Sequence, residues 1–193
     1  MLFEINTLYQ VEGYRHLERE DLLRVVFLDF RKTFPKIRFE LHAESRTINA
    51  QAIIHGEVRI VRLYGGLAFH PLAESDVLVF TLLHEVGHHL SSGGRLAFCE
   101  SLGCECTADR WALTKGQSSL EKRVGRTLDI EKAVASLDTL EMEVTSRRAV
   151  APEGKDGLSR CWALDWPKRK RHLVGFIPMP IVRRCHLSEF YVS

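Results

Sequence analysis

From Glu20 to Phe34 the apolar positions Leu22, Leu23, Val26, Phe27 and Phe30 recur at three- and four-residue spacing, the period of a helix with one buried face. Pro35 cannot continue that helix and ends it. The pattern then changes to β-rich runs at Lys36 to Leu41, Thr47 to Ile54 and Glu57 to Tyr64. His55-Gly56 predicts a tight hairpin turn between the last two, and Gly65-Gly66 closes the sheet region. Ser75 and Asp76 suit a helix cap, and Val77 to Leu90 is so apolar that it reads as a buried helix, ended by Ser91-Ser92-Gly93-Gly94. Two helical stretches follow, from about Gly103 to Lys115 and from Ser118 to about Ser146, the second broken near Gly125 to Asp129. Prolines at 152, 167, 178 and 180 then make a loop-rich tail, with one strand predicted at Ile181 to His186. These patterns place one domain over residues 1–146 and a Pro-containing extension over 147–193, packed on the same domain.

At 193 residues the chain can bury a sizeable core, and 45% hydrophobic with 27% charged residues is ordinary for a globular protein. A net charge of +2 supplies no bulk field for nucleic acid or membrane. Between Arg147 and His172, however, eight Lys or Arg stand against three acids. Met1 to Glu20 carries acids and no continuous apolar core, unlike a signal peptide. The run Val77 to Leu83 is far short of the ~20 residues of a membrane span. Five cysteines, an odd number, do not form a disulfide framework, so a cytoplasmic protein with reduced thiols is expected.

The apolar helix contains His84-Glu85-Val86-Gly87-His88, an H-E-x-x-H motif. Histidines at i and i+4 project from one helix face and can reach one ion. Glu85 stands beside them as general base, taking a proton from a zinc-bound water as it attacks a carbonyl. A catalytic zinc takes three protein ligands and keeps one position open. Glu105, which opens the next predicted helix, is the candidate third ligand. Asp109, four residues on, shares its face and can bond the outer nitrogen of His84, fixing its tautomer. The small residues Gly87, Ala108 and Ala112 let the two helices approach closely. Two histidines and one carboxylate suit a single Zn2+, with iron and manganese as alternatives.

Through His84-Glu85-Val86-Gly87-His88 and Glu105-Cys106-Thr107-Ala108-Asp109 the chain resembles the gluzincin metallopeptidases, whose signature is H-E-x-G-H followed by E-x-x-A-D/N. The short gap, the small size and Phe80-Thr81-Leu82-Leu83 before the motif look most like minimal gluzincins of the ImmA/IrrE type from bacteria and phages. The Ala108-Asp109 pair is also similar to the M48 family, without its membrane helices. The resemblance covers roughly Glu57 to Leu113. It implies an α+β, zincin-like fold, with a small, twisted, mainly antiparallel sheet packed on the H-E-x-x-H helix, and the glutamate helix after it. It also implies an edge strand, Glu57 to Tyr64 here, that pairs with extended substrate. The family's oxyanion-stabilising Tyr or His has no matching motif, which leaves Tyr64, His70, His172, His186 and Tyr191 as candidates.

Other features are weaker. His89 points to a different helix face from His88 and reads as a packing or surface residue. Cys99, Cys104 and Cys106 read as buried thiols, with a structural zinc on Cys104, Cys106 and His89, or a redox switch, as alternatives. Lys168 to Arg171 follows Trp162 and Trp166, a mix that can grip nucleic acid but more often forms a solvated loop. The expected function is a zinc endopeptidase making limited cuts in a specific intracellular protein or peptide. The rivals are a non-catalytic zincin-like module binding a protein or nucleic acid through the basic segment, and a peptidase delivered to another cell.

Overall fold

The structure is a computed structural model that describes residues 15–43, 47–91, 102–150 and Lys170. Its elements run α1 (Arg15–Thr33), β1 (Ile37–His42), β2 (Ala50–His55), β3 (Val58–Tyr64), α2 (Gly65–Ala68), α3 (Ser75–Ser91), α4 (Leu102–Trp111), a π-helical turn (Ala112–Gly116), α5 (Gln117–Val124) and α6 (Ile130–Val150). The class is α+β, as expected. The sheet, however, is mixed: β3 lies between β1 and β2, parallel to β1 and antiparallel to β2.

That order corrects two expectations. The sheet is not mainly antiparallel, because β1 reaches β3 without a hairpin and runs alongside it. The second concerns the edge. The strand predicted at Glu57 to Tyr64 is β3, and its backbone is paired on both sides. Among the described residues the outer edges belong to β1 and β2.

Register explains which face is buried. Phe39 stands opposite Val61, and Leu63 stands between Leu41 and Ala50. Side chains alternate across a sheet, so Ile37, Phe39, Val61, Leu63 and Ala50 share the face turned to the core. The opposite face carries Glu40, Arg62, Gln51 and Tyr64. There Arg38 and Arg62 both bind Glu40, at 2.9 and 3.1 Å. Gly56, at φ +61°, occupies the left-handed conformation that the β2–β3 turn requires.

Helix α1 lays Leu23, Val26, Phe27 and Phe30 against this core, joined by Phe34 just past its end, with Phe30 edge-on to Phe39 at 5.5 Å. Helix α3 is the centre of the molecule. Residues Val77 to His89 are all buried, as befits a helix that is apolar on every side. It packs against β2, β3, α4, α6 and the π-helical turn. Asp76, expected as a cap of α3, instead accepts a hydrogen bond from the Asp129 N–H at 2.9 Å.

No break separates Lys115 from Ser118. The π-helical turn joins α4 to α5, so the chain stays helical from Leu102 to Val124. Gly125, at φ +70°, ends this long helix, and α6 begins after the predicted break. Helix α6 continues to Val150, past the boundary expected at residue 146. The predicted strand at Ile181 to His186 lies outside the described residues. Among the described residues no helix is long and apolar enough to cross a membrane.

Candidate metal centre

The C-terminal part of α3 and the first turns of α4 meet at two small residues. A Cβ on Gly87 would lie 2.8 Å from the Ala108 carbonyl oxygen and 3.0 Å from its Cα. Both are backbone atoms with no freedom to withdraw, so glycine sets how closely the helices approach. Ala108 is itself fully buried. This contact brings the H-E-x-x-H segment and the glutamate helix face to face.

Three side chains converge there. His84 Nε2 lies 2.9 Å from His88 Nε2 and 3.0 Å from Glu105 Oε2, and His88 Nε2 lies 3.4 Å from Glu105 Oε1. Donors bound tetrahedrally at 2.0–2.1 Å to one ion are about 3.3 Å apart, so the spacing fits a single small cation. The histidine rings stand edge-to-face at 88°, with centroids 4.6 Å apart. Among the described residues this is the one group of three His, Cys, Asp or Glu side chains arranged to hold a metal ion.

The supporting residues fit the same chemistry. His84 Nδ1 is 2.7 Å from Asp109 Oδ1, and Asp109 is wholly buried. A buried carboxylate needs a donor, and the His84 Nδ1–H supplies it. With Nδ1–H turned to Asp109, Nε2 faces Glu105 and His88: its lone pair would serve a metal, and in the absence of one a proton there donates to Glu105. Burial alone would raise the Glu105 carboxyl. Hydrogen bonds from His84 and His88, and their charge, outweigh burial and hold it well below the usual carboxylate range. Glu105 is the most exposed of the three, at 22%, so the cluster opens to solvent on its side. Glu85 is buried beside the cluster, with Oε1 4.0 Å from His84 Nε2.

Every residue expected at the metal is thus brought together: His84, His88 and Glu105 at the centre, Asp109 behind and Glu85 alongside. Two of the oxyanion candidates, Tyr64 and His70, make their bonds elsewhere. Tyr64 points to the sheet face away from α3, donates to Gln51 Oε1 at 3.0 Å and packs on His42. His70 belongs to the turn before α3: its Nδ1 accepts from the Leu72 N–H, and its carbonyl accepts from Arg19. His172, His186 and Tyr191 lie outside the described residues.

The weaker motifs resolve unevenly. Cys106 is a half-buried reduced thiol; Cys99 and the Cys104 side chain lie outside the described residues. His89 is buried in the protein rather than at its surface. Its Nε2–H donates to the Ile60 carbonyl at 2.9 Å, and burial holds the ring below the ordinary histidine value. Sequence reasoning missed this bond because nothing in the order of residues links position 89 to a strand residue 29 positions earlier. Within the basic run, Lys170 bonds Asp138 Oδ2 on α6 at 2.6 Å, while Trp162 and Trp166 lie outside the described residues. No family model, curated protein or solved structure matches this chain, so what is known of its site rests on its own residues.

Proposed function

We propose that the protein is a zinc-dependent endopeptidase with a zincin-like fold, in which His84, His88 and Glu105 hold the metal and Glu85 is the general base. The observation that carries this reading is the convergence of three donor atoms from two helices at 2.9 to 3.4 Å, with Asp109 fixing His84 from behind. Zinc bound there would acidify a water and polarise a carbonyl. Glu85 takes the proton of the attacking water and delivers it to the leaving amide nitrogen, which no purely structural site would need. An extended peptide adds to the outer edge of β2, the strand of this sheet that packs on α3 and is paired on one side only among the described residues.

Elemental analysis of purified protein beside Glu105→Ala and Glu85→Gln tests this. The expected result is about one zinc per chain in wild type and Glu85→Gln, and little in Glu105→Ala. Cleavage of a peptide library should vanish in Glu85→Gln and on chelation. Metal-free wild type, or zinc indifferent to Glu105, would sink the assignment. Full metal in Glu85→Gln with undiminished cleavage would remove Glu85 from its role.

A further inference from the structure

The metal-bearing helix ends soon after its second histidine. His88 sits in the last turn of α3, which stops at Ser91. Such turns fray, because their final carbonyls have no partner within the helix. Here they are tied down from outside. The Arg59 guanidinium donates to the His89 carbonyl at 3.2 Å, and the His89 imidazole donates to the Ile60 carbonyl at 2.9 Å. The two bonds run in opposite directions between adjacent residues of β3 and one residue of α3. Their anchor is the central strand, which is paired on both sides. Within the helix itself, Ser91 donates back to the Gly87 carbonyl.

The position would be simpler to fill with an apolar residue. His89 is 1% exposed and, among the described residues, its Nδ1 meets no hydrogen-bond partner. Burying such an atom is costly. A Leu or Phe would fill the space but make no directional bond to β3. The bond to Ile60 fixes the rotation of the last turn more closely than packing alone. His88 and His89 are successive residues on one rigid turn, so they rotate together. A rotation of roughly 10° moves a ring nitrogen roughly 6 Å from the helix axis by about 1 Å. Metal–ligand distances hold only to about 0.2 Å, so a loose last turn would misplace His88.

We propose that Arg59 and His89 are positioning residues, latching the last turn of α3 to β3 so that His88 meets His84 and Glu105 at bonding distance. The inference rests on the metal centre proposed above, and it requires neither residue to touch the metal or substrate. Cobalt(II) is the probe, titrated into chelator-stripped full-length protein against a competing chelator, with the visible d–d band recorded at saturation. In His89→Phe the cobalt Kd should rise about tenfold and the band should broaden or shift. His89→Gln, whose amide can donate to the Ile60 carbonyl from nearly the same point, should restore both. Arg59→Met should weaken binding several-fold.

Melting of the metal-free variants separates positioning from mere stability. A latch that acts on the metal changes the cobalt spectrum of fully folded protein. A structural role lowers the melting temperature and leaves Kd and spectrum alone, and that result would overturn the inference. If His89→Phe does not fold, Arg59→Met decides, and wild-type affinity and spectrum there would defeat it. Wild type that takes up no cobalt removes the metal centre and the latch together. Wild type that binds cobalt beside an unchanged His89→Phe removes the latch alone.

Discussion

Asp109 and Gly87 hold the cluster of His84, His88 and Glu105 in shape, one through a hydrogen bond and the other through close helix approach. Asp109 makes no contact with the metal position itself; it holds His84 through a 2.7 Å bond to Nδ1 in a fully buried setting. In Asp109→Asn the shape remains but the charge that favours Nδ1–H is gone, and the amide can present its own N–H to the ring instead. Metal affinity should fall about tenfold or more, measured by chelator competition, with the helical circular dichroism unchanged. Gly87→Ala acts differently. Its new methyl meets the backbone of Ala108 at 2.8 Å, so α3 and α4 must separate. Overpacking of this kind costs about 1–3 kcal/mol, measurable by urea unfolding, and metal affinity should fall with it because Glu105 moves away from the histidines. A Gly87→Ala protein of wild-type stability and affinity would show that the helix approach is not set there.

At the scale of elements, what could be read in advance follows from how local each cause is. The helix from Ser75 to Ser91 was legible because it is apolar all round, and its two histidines are one turn apart by helix geometry alone. Glu105 and Asp109 were legible for the same reason, since i and i+4 share a face whatever the fold. Sheet order was not. The hairpin at Gly56 fixes β2 against β3, but nothing local tells β1 which side of β3 to join, and its parallel docking makes β3 central. The π-helical turn was equally hidden: Lys115 to Ser118 reads as a weak point, yet packing of the turn against α3 carries the helix through it. Capping of α6, by contrast, is local. Asp129 Oδ1 accepts the Lys132 N–H at 3.1 Å, and its other oxygen faces the Lys132 ammonium at 3.4 Å. The backbone hydrogen bond, aided by that ammonium, holds the Asp129 carboxyl below its ordinary value. A carboxyl depressed in the folded state stabilises it above the unfolded value of about 3.9, and the benefit disappears as pH falls through the lower folded value. Asp129→Asn keeps the acceptor and drops the charge. Its melting temperature should therefore lie slightly below wild type from neutral pH down to about pH 5, and the gap should close in stronger acid. A gap independent of pH would mean that charge plays no part in the cap.

For the molecule as a whole, the metal would act as a clasp rather than as a core. Helix α3 is already buried against two strands, two helices and the π-helical turn, and residues far from the cluster, such as Phe30, Phe39 and Leu63, complete the interior. Removal of metal should therefore leave the fold standing, unlike the collapse of a small zinc finger. Stability should still follow metal by mass action, because the unfolded chain cannot bring His84, His88 and Glu105 together. At free zinc about one hundred times the dissociation constant, linkage gives about 2.7 kcal/mol. In a protein of this size that corresponds to a melting temperature rise of about 5–10 °C. Calorimetry of wild type with excess zinc and with chelator measures it directly. Glu105→Ala should lose most of the increment, since two histidines alone hold zinc weakly, while Glu85→Gln should keep it whole. That contrast separates a residue that binds the metal from one that works beside it. Unfolding of wild type on chelation would instead make the metal a structural requirement of the fold. A zinc increment in Glu105→Ala equal to that of wild type would place the ion elsewhere.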